Sequence, residues 1–134
     1  MVIDTSAIFA AITAEPDSSV SRDAITSAPL RLISAVTLLE TQIVLVSRSG
    51  SHSIPILHEL IGRAGIVVVP FDEPMAEAAF DAFRRYGKGQ GHKAQLNIID
   101  CAAYALAKTR DLPLLFKGND FASTDIRPAL PSRQ

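Results

Sequence analysis

The sequence lacks tryptophan and contains only one cysteine, Cys101, among its 134 residues. A single cysteine cannot form an internal disulfide, so nothing indicates an oxidising compartment and we expect a cytoplasmic protein. Aromatic residues make up 6% and charged residues 20%, against 48% hydrophobic residues, which excludes a disordered or collagen-like chain. The formal net charge of −1 is neutral evidence on nucleic-acid binding, because an acidic site offsets a local basic patch in the total.

Long apolar runs are also missing. None approaches the roughly 20 residues that cross a bilayer, and the start of the chain lacks the basic and apolar regions of a secretory signal. We therefore expect no membrane association. The length suits a single domain over residues 1–134, with a proline-containing tail from about residue 127 that we expect to be poorly ordered. Cys101 lies in an apolar helical pattern and is predicted to be buried rather than reactive.

Short apolar runs alternate with helical patterns along the chain. The pattern predicts strands at 2–3, 30–33, 66–69 and 114–116, and helices at 7–14, 20–27, 35–48, 54–63, 73–85 and 96–108. This alternation is typical of a three-layer α/β/α sandwich with a mostly parallel sheet of four or five strands. The run 66–69 is continuously apolar, so we expect that strand to be buried on both faces.

Four acidic residues follow short apolar or small-residue stretches: Asp4, Glu40, Asp100 and Asp120. Asp4 and Asp120 are expected just beyond the carboxyl ends of strands, at one edge of the sheet. Two carboxylates roughly 4 Å apart repel by about 4 kcal/mol at an effective dielectric constant of about 20, so a cluster of them requires a cation. Oxygen ligands of this kind suit Mg²⁺ or Mn²⁺. Taken singly, each residue also has a structural explanation, as a helix cap, a salt-bridge partner, a first-turn carboxylate or a turn residue.

Six segments together resemble the PIN-domain toxins of VapC type, in the order and spacing of that family: 2–7, 34–40, 64–66, 83–89, 96–101 and 114–121. The resemblance implies a PIN-like fold and a Mg²⁺- or Mn²⁺-dependent endoribonuclease that is the toxin of a type II toxin–antitoxin pair. It further implies a VapB-like antitoxin that holds the enzyme inactive, an RNA substrate and a homodimer. Asp4, Glu40 and Asp100 match the three principal acidic positions of the family. Asp120 is the best-placed fourth, although Asn119 and Asp125 also have a claim to that role.

Further side chains are candidates for supporting roles. Thr5 or Ser6 is expected to orient a ligand or to cap the first helix, and Asn97 to support Asp100. His92 is expected to be an exposed loop residue, and Tyr86 to be half-buried in packing. Basic residues near the glycine-rich loop are candidates for RNA binding, namely Arg84, Arg85, Lys88, Lys93 and Lys117.

Two alternative functions remain open from the sequence. Ile99 stands where close relatives carry a small residue, which suggests a PIN-like interaction module that binds antitoxin or RNA without cleaving. A phosphoryl-transfer enzyme with Asp4 as nucleophile is less compatible, since it requires a second aspartate where Ser6 stands. The apolar run Ile43 to Val46 is predicted to contact a partner peptide or a second copy of the chain.

Overall fold

The computed structural model describes residues 1–13, 15–16 and 18–131. Within these residues, strands alternate with helices as the sequence predicts. The four strands are β1 (Val2–Ile3), β2 (Leu32–Ser34), β3 (Val67–Val69) and β4 (Leu114–Leu115). The six helices are α1 (Thr5–Ile12), α2 (Ser18–Ser27), α3 (Ala35–Ser49), α4 (Ser53–Ala64), α5 (Glu73–Tyr86) and α6 (Ile98–Arg110). No helix among the described residues is long and apolar enough to traverse a bilayer.

The described strands form one parallel sheet in the order β3-β2-β1-β4. Val2 is paired with Leu32 on one side and with Leu114 on the other, so β1 is a central strand. Because all pairs are parallel, the carboxyl ends of the strands lie at the same edge of the sheet. The predicted mostly parallel sheet is confirmed.

The core lies on both faces of the sheet. Val2 and Leu114 belong to the apolar cluster formed with α5 and α6, whereas their neighbours Ile3 and Leu115 belong to the cluster formed with α1 to α4. Successive residues of a strand point to opposite faces, which is why two-residue strands contribute to both clusters. The result is the three-layer sandwich expected from the sequence.

The prediction that the third strand is buried on both faces is wrong. Val67 is 52% exposed and Val68 is 38% exposed, and only Val69 is buried. The reason is that β3 is an edge strand, paired with β2 alone among the described strands. A continuous apolar run thus occurs here without the double coverage that usually accompanies it.

Local capping moves several helix boundaries from their predicted places. Helix α1 begins at Thr5, earlier than predicted, because Asp4 is its N-cap. Its predicted last residue, Ala14, lies outside the described residues. Helix α6 begins at Ile98, later than predicted, because Asn97 is its N-cap.

Residues 127–131, at the start of the predicted tail, contact β4 and the core. The amide of Leu114 donates to the carbonyl of Arg127 at 2.9 Å, and the amide of Ala129 donates to the carbonyl of Leu114 at 2.9 Å. Leu130 packs against the apolar cluster beneath α1 to α4. The remaining tail residues, 132–134, lie outside the described part of the chain.

Candidate functional site

Asp4 lies where β1 ends and α1 begins, and only 5% of its surface is exposed. Its Oδ2 accepts hydrogen bonds from the Ser6 amide at 3.1 Å and from the Ser6 hydroxyl at 2.6 Å. Its Oδ1 is buried and has no hydrogen-bond partner among residues 1–13, 15–16 and 18–131. Burial raises the pKa of Asp4, the charge of Glu40 raises it further, and the bonds from Ser6 act against both. One oxygen of this carboxylate is therefore fixed, and the other is an unused buried acceptor.

Ser6 connects Asp4 to the segment that follows β4. Its Oγ accepts a hydrogen bond from the Lys117 amide at 2.9 Å while its hydroxyl donates to Asp4. The Lys117 side chain forms an ion pair with Glu15. Ser6 thus holds the Asp4 carboxylate, and the Lys117 backbone holds Ser6, a contact that the sequence did not reveal.

Thr5 has a different role from Ser6. The Thr41 hydroxyl donates to Thr5 Oγ1 at 3.1 Å, and the Thr5 hydroxyl donates to the Thr37 carbonyl at 3.5 Å. These bonds join α1 to α3 inside the core. The Thr5 hydroxyl therefore has a packing role, whereas the Thr5 backbone acts on Asp4 through a hydrogen bond that lowers the pKa of its carboxyl.

Asp100 lies in the first turn of α6 in a capping box with Asn97. The Asn97 amide donates to Asp100 Oδ2 at 3.0 Å, and the Asp100 amide donates to Asn97 Oδ1 at 2.8 Å. Burial and the negative charges of Asp4, Asp120 and Glu40 together raise the pKa of Asp100 to about 7, against the lowering effect of the Asn97 hydrogen bond. Residues from four separate segments thus share one electrostatic environment.

These carboxylates fit a divalent cation by their chemistry, although they do not form a closed coordination shell. Among the described residues, no three His, Cys, Asp or Glu side chains are arranged as a ready-made metal site. The unused Oδ1 of Asp4 and the mutual repulsion around Asp100 are nevertheless the features that a bound cation would satisfy.

Asp125 is separated from this environment by its own partners. Its Oδ1 accepts from the Tyr104 hydroxyl at 2.5 Å, and its Oδ2 accepts from Lys108 Nζ at 2.9 Å and Arg85 Nη2 at 3.3 Å. Burial acts to raise the pKa of Asp125, but the bonds from Tyr104 and Lys108 and the nearby cations lower it. Of the three candidates for the fourth position, Asn119, Asp120 and Asp125, Asp120 is the one whose charge acts on Asp100.

The predicted RNA-binding residues divide into engaged and exposed groups. Arg85 and Lys117 are held in the contacts described above. Arg84 is exposed, with its guanidinium 5.9 Å from the ring centroid of the exposed Phe80. Lys88 and Lys93 are exposed and form no ion pair with another described residue. These three exposed cations remain the free candidates.

The glycine-rich loop is more ordered by side-chain contacts than its composition suggests. His92 is half-buried, its Nδ1 accepts from the Ala94 amide at 3.0 Å, and its ring packs edge-on against Tyr86 at 4.9 Å between centroids. Tyr86 is buried, beyond the half-burial expected of it. The expectation of an exposed His92 is therefore wrong, because the loop folds back on the end of α5.

Cys101 and Ile99 flank Asp100 in α6. Cys101 is buried as predicted, and burial together with the charge of Asp100 raises its pKa to about 11, so it is not a thiolate nucleophile. Ile99 is half-buried, and the capping box around Asp100 is complete beside it. The bulk of Ile99 does not displace the Asp100 backbone from regular helix-start geometry.

The fold and the site together define a parallel α/β/α domain with an acidic site at the carboxyl edge of its sheet. The PIN domain family model matches residues 1–127. The chain is 47% identical over 126 residues to Ribonuclease VapC of Mycolicibacterium smegmatis, covering 94% of this chain and 97% of that relative. The chain therefore belongs to the PIN-domain family, in its VapC group.

Solved structures agree on the fold. The crystal structure of Mycobacterium tuberculosis VapC20, described as a sarcin-ricin loop cleaving toxin, matches with a TM-score of 0.77 at 16% identity and covers 93% of this chain and 95% of that one. A toxin–antitoxin complex from Klebsiella pneumoniae matches with a TM-score of 0.67 at 16% identity, covering 92% of each chain. At these identities the likeness concerns the architecture alone.

Proposed function

We propose that this protein is a Mg²⁺- or Mn²⁺-dependent endoribonuclease and the toxin of a type II toxin–antitoxin pair. The observation that supports the proposal is that burial, together with the charges of Asp4, Asp120 and Glu40, raises the pKa of Asp100 to about 7, while one buried oxygen of Asp4 has no hydrogen-bond partner among the described residues. Its relative in M. smegmatis is named a ribonuclease, which supports RNA as the substrate.

The residues divide the work as follows. Asp4 and Asp100, with Glu40 and Asp120, would hold the cation, which when bound lowers the pKa of a coordinated water and neutralises charge on the scissile phosphate. Ser6 keeps Asp4 in one orientation by bonding to Oδ2, which leaves Oδ1 available to the cation. Asn97 does the same for Asp100 through the capping box, by occupying Oδ2.

The test is cleavage of structured RNAs by the purified chain, freed of any partner, with Mn²⁺ or with excess EDTA. Asp4→Asn and Asp100→Asn should each abolish cleavage while leaving the circular dichroism spectrum unchanged. Asp111→Asn is the matched control, because Asp111 lies at the other end of α6 and its side chain is 98% exposed. Undiminished cleavage in EDTA would refute metal dependence.

The same cleavage assay tests the alternative function, a module that binds RNA without cleaving it. That alternative was motivated by Ile99, but the regular capping box at Asp100 gives it no structural support. Cleavage by the wild-type chain that is lost in Asp100→Asn would end it. Binding of RNA by a wild-type chain that never cleaves would establish it.

We further propose that a VapB-like antitoxin neutralises the enzyme and that the toxin forms a homodimer. The structural neighbour from K. pneumoniae is a toxin–antitoxin complex. Helix α3 supports a protein partner, since Leu39 and Ile43 are each 57% exposed and Val46 is 45% exposed. Such an apolar stripe is unfavourable in water unless a partner covers it. Cleavage should be absent while the antitoxin is bound and return after its removal.

A further inference from the structure

We infer that Asp125 is a positioning residue that holds the loop carrying Asp120 against the face of α6 that carries Asp100. The inference rests on the proposed metal site and adds a residue to it that would touch neither the cation nor the RNA. Asp125 contacts three side chains on two helices, Arg85 on α5 and Tyr104 and Lys108 on α6.

Both oxygens of Asp125 are occupied. Oδ1 accepts from the Tyr104 hydroxyl at 2.5 Å, and Oδ2 accepts from Lys108 Nζ at 2.9 Å and from Arg85 Nη2 at 3.3 Å. Tyr104 is only 2% exposed, so its hydroxyl depends on this acceptor for its strongest contact. A carboxylate with both oxygens used in this way is a poor metal ligand but a firm anchor for its own backbone.

The partners of Asp125 on α6 lie on the same face of that helix as Asp100. Asp100, Tyr104 and Lys108 are spaced four residues apart on α6 and therefore lie along one face of that helix. Asp125 contacts the second and third of these residues, and the charge of Asp120 acts on the first. When Asp125 is held on this face, the preceding loop residues, including Asp120, are held at a defined position along α6.

Asp120 depends on the loop for its position. Its side chain is exposed and forms no hydrogen bond or ion pair with another described residue. The loop is held next to Asp120 by Phe121, which is 2% exposed and packs on Phe116 at 5.3 Å between ring centroids. The Ala122 amide donates to the Asn119 carbonyl at 3.1 Å, which completes a turn around Asp120. Phe121 anchors one side of this turn and Asp125 closes the other.

The competing explanation is that Asp125 forms only solvated ion pairs with Lys108 and Arg85, since exposed ion pairs contribute little to stability. The buried hydroxyl of Tyr104 distinguishes this cluster from such a pair. Asp81 provides the contrast, because its Oδ2 lies 4.0 Å from Arg85 Nη1, its side chain is 70% exposed, and it is bonded to nothing on α6. Asp81→Asn is therefore the matched control for Asp125→Asn.

The experiment combines Mn²⁺ affinity with hydrogen exchange in the metal-free protein. Affinity is measured by calorimetry for the wild type and for D125N, Y104F, D120N, D81N and the double variant D120N/D125N. We expect D125N and Y104F to weaken Mn²⁺ binding by on the order of tenfold, as loss of a supporting partner usually does. D81N should bind as the wild type does.

The double variant separates positioning from general destabilisation. If Asp125 acts through Asp120, then D120N/D125N should bind Mn²⁺ no more weakly than D120N, because the group that was being positioned is already absent. Additive losses, or wild-type affinity in D125N, would overturn the inference. In the metal-free protein, D125N and Y104F should speed exchange of the Ala122 and Thr124 amides and leave the middle of α6 unchanged.

The two proposals fail in different ways. A wild-type chain that bound no Mn²⁺ would contradict the proposed metal site, and hydrogen exchange alone would then decide whether Asp125 holds the loop. Unchanged exchange at Ala122 and Thr124 in both variants would overturn the inference even if the wild type binds Mn²⁺ and cleaves RNA.

Discussion

Replacing Asp100 by asparagine should stabilise the metal-free protein at alkaline pH while destroying its proposed activity. Asparagine keeps the capping box, because its side-chain oxygen still accepts from the Asn97 amide, which lies 3.0 Å from Asp100 Oδ2 in the wild type. The substitution removes a negative charge from a site where Asp4, Glu40 and Asp120 already repel it. Function and stability therefore make opposite demands on this residue.

The size of the stability gain and its pH dependence follow from the pKa of Asp100, which burial and the neighbouring carboxylates raise from 3.8 to about 7. The folded protein binds the Asp100 proton more tightly than the unfolded chain does. The stabilisation that this proton gives the folded state is therefore complete below about pH 4 and is lost as the pH rises through about 7. The full effect would be about 4 kcal/mol in unfolding free energy. Partial solvent exposure of the carboxyl screens it, so we expect about 2 kcal/mol.

The assay is urea unfolding of the wild type, Asp100→Asn and the control Asp111→Asn, in EDTA, from pH 4.5 to pH 8. The free energies of wild type and Asp100→Asn should approach each other at the acidic end. At pH 8 the variant should be more stable by about 2 kcal/mol. Added Mn²⁺ at pH 8 should raise the stability of the wild type and leave the variant unchanged. A variant that is no more stable than the wild type at pH 8 in EDTA would refute the clustering of charge.

Two further predictions concern the scaffold and the surface. Arg31→Met should lower the unfolding free energy by about 2 kcal/mol without affecting RNA cleavage. The reason is that the Arg31 guanidinium donates to the carbonyls of Ala64 and Thr26 at 2.5 Å each, at the ends of α4 and α2. An unchanged urea midpoint would contradict this. Ile43→Asp should convert the proposed homodimer to a monomer in sedimentation velocity. Leu30→Asp is the control and should leave the dimer intact, because Leu30 is 46% exposed but lies outside α3. A dimer in both variants would show that the interface lies elsewhere.

Local chemistry made most of the elements predictable from the sequence. The predicted helix at 73–85 begins at Glu73 as expected, because Asp72 is its N-cap and Asp72 Oδ1 accepts from the Met75 amide at 3.1 Å. Asp4 lies just beyond the carboxyl end of β1, as expected. Such features depend on residues three or four positions apart, so a single sequence contains the whole of the signal.

Features that depend on the order of strands were less accessible. Val67 and Val68 form a run that is typical of a central strand, and only the pairing of β3 with β2 alone shows that the run lies at an edge. The partners of Asp125 were missed for a similar reason, because they lie on two helices that the sequence does not place side by side. The four-residue spacing of Asp100, Tyr104 and Lys108 was the one available signal, and it identifies the shared face without identifying what binds there.

The structural and the functional explanations of the acidic residues are compatible, and each depends on the other. Asp4 caps α1 with Oδ2, and Asp100 closes the capping box of α6 with Oδ2. In both residues the hydrogen bonds at the helix start use one oxygen and fix the plane of the carboxylate. The second oxygen of Asp4 is left buried and unpartnered, and Oδ1 of Asp100 accepts no hydrogen bond within the described chain. In the proposed metal site, capping would orient these carboxylates for the cation without any additional residues.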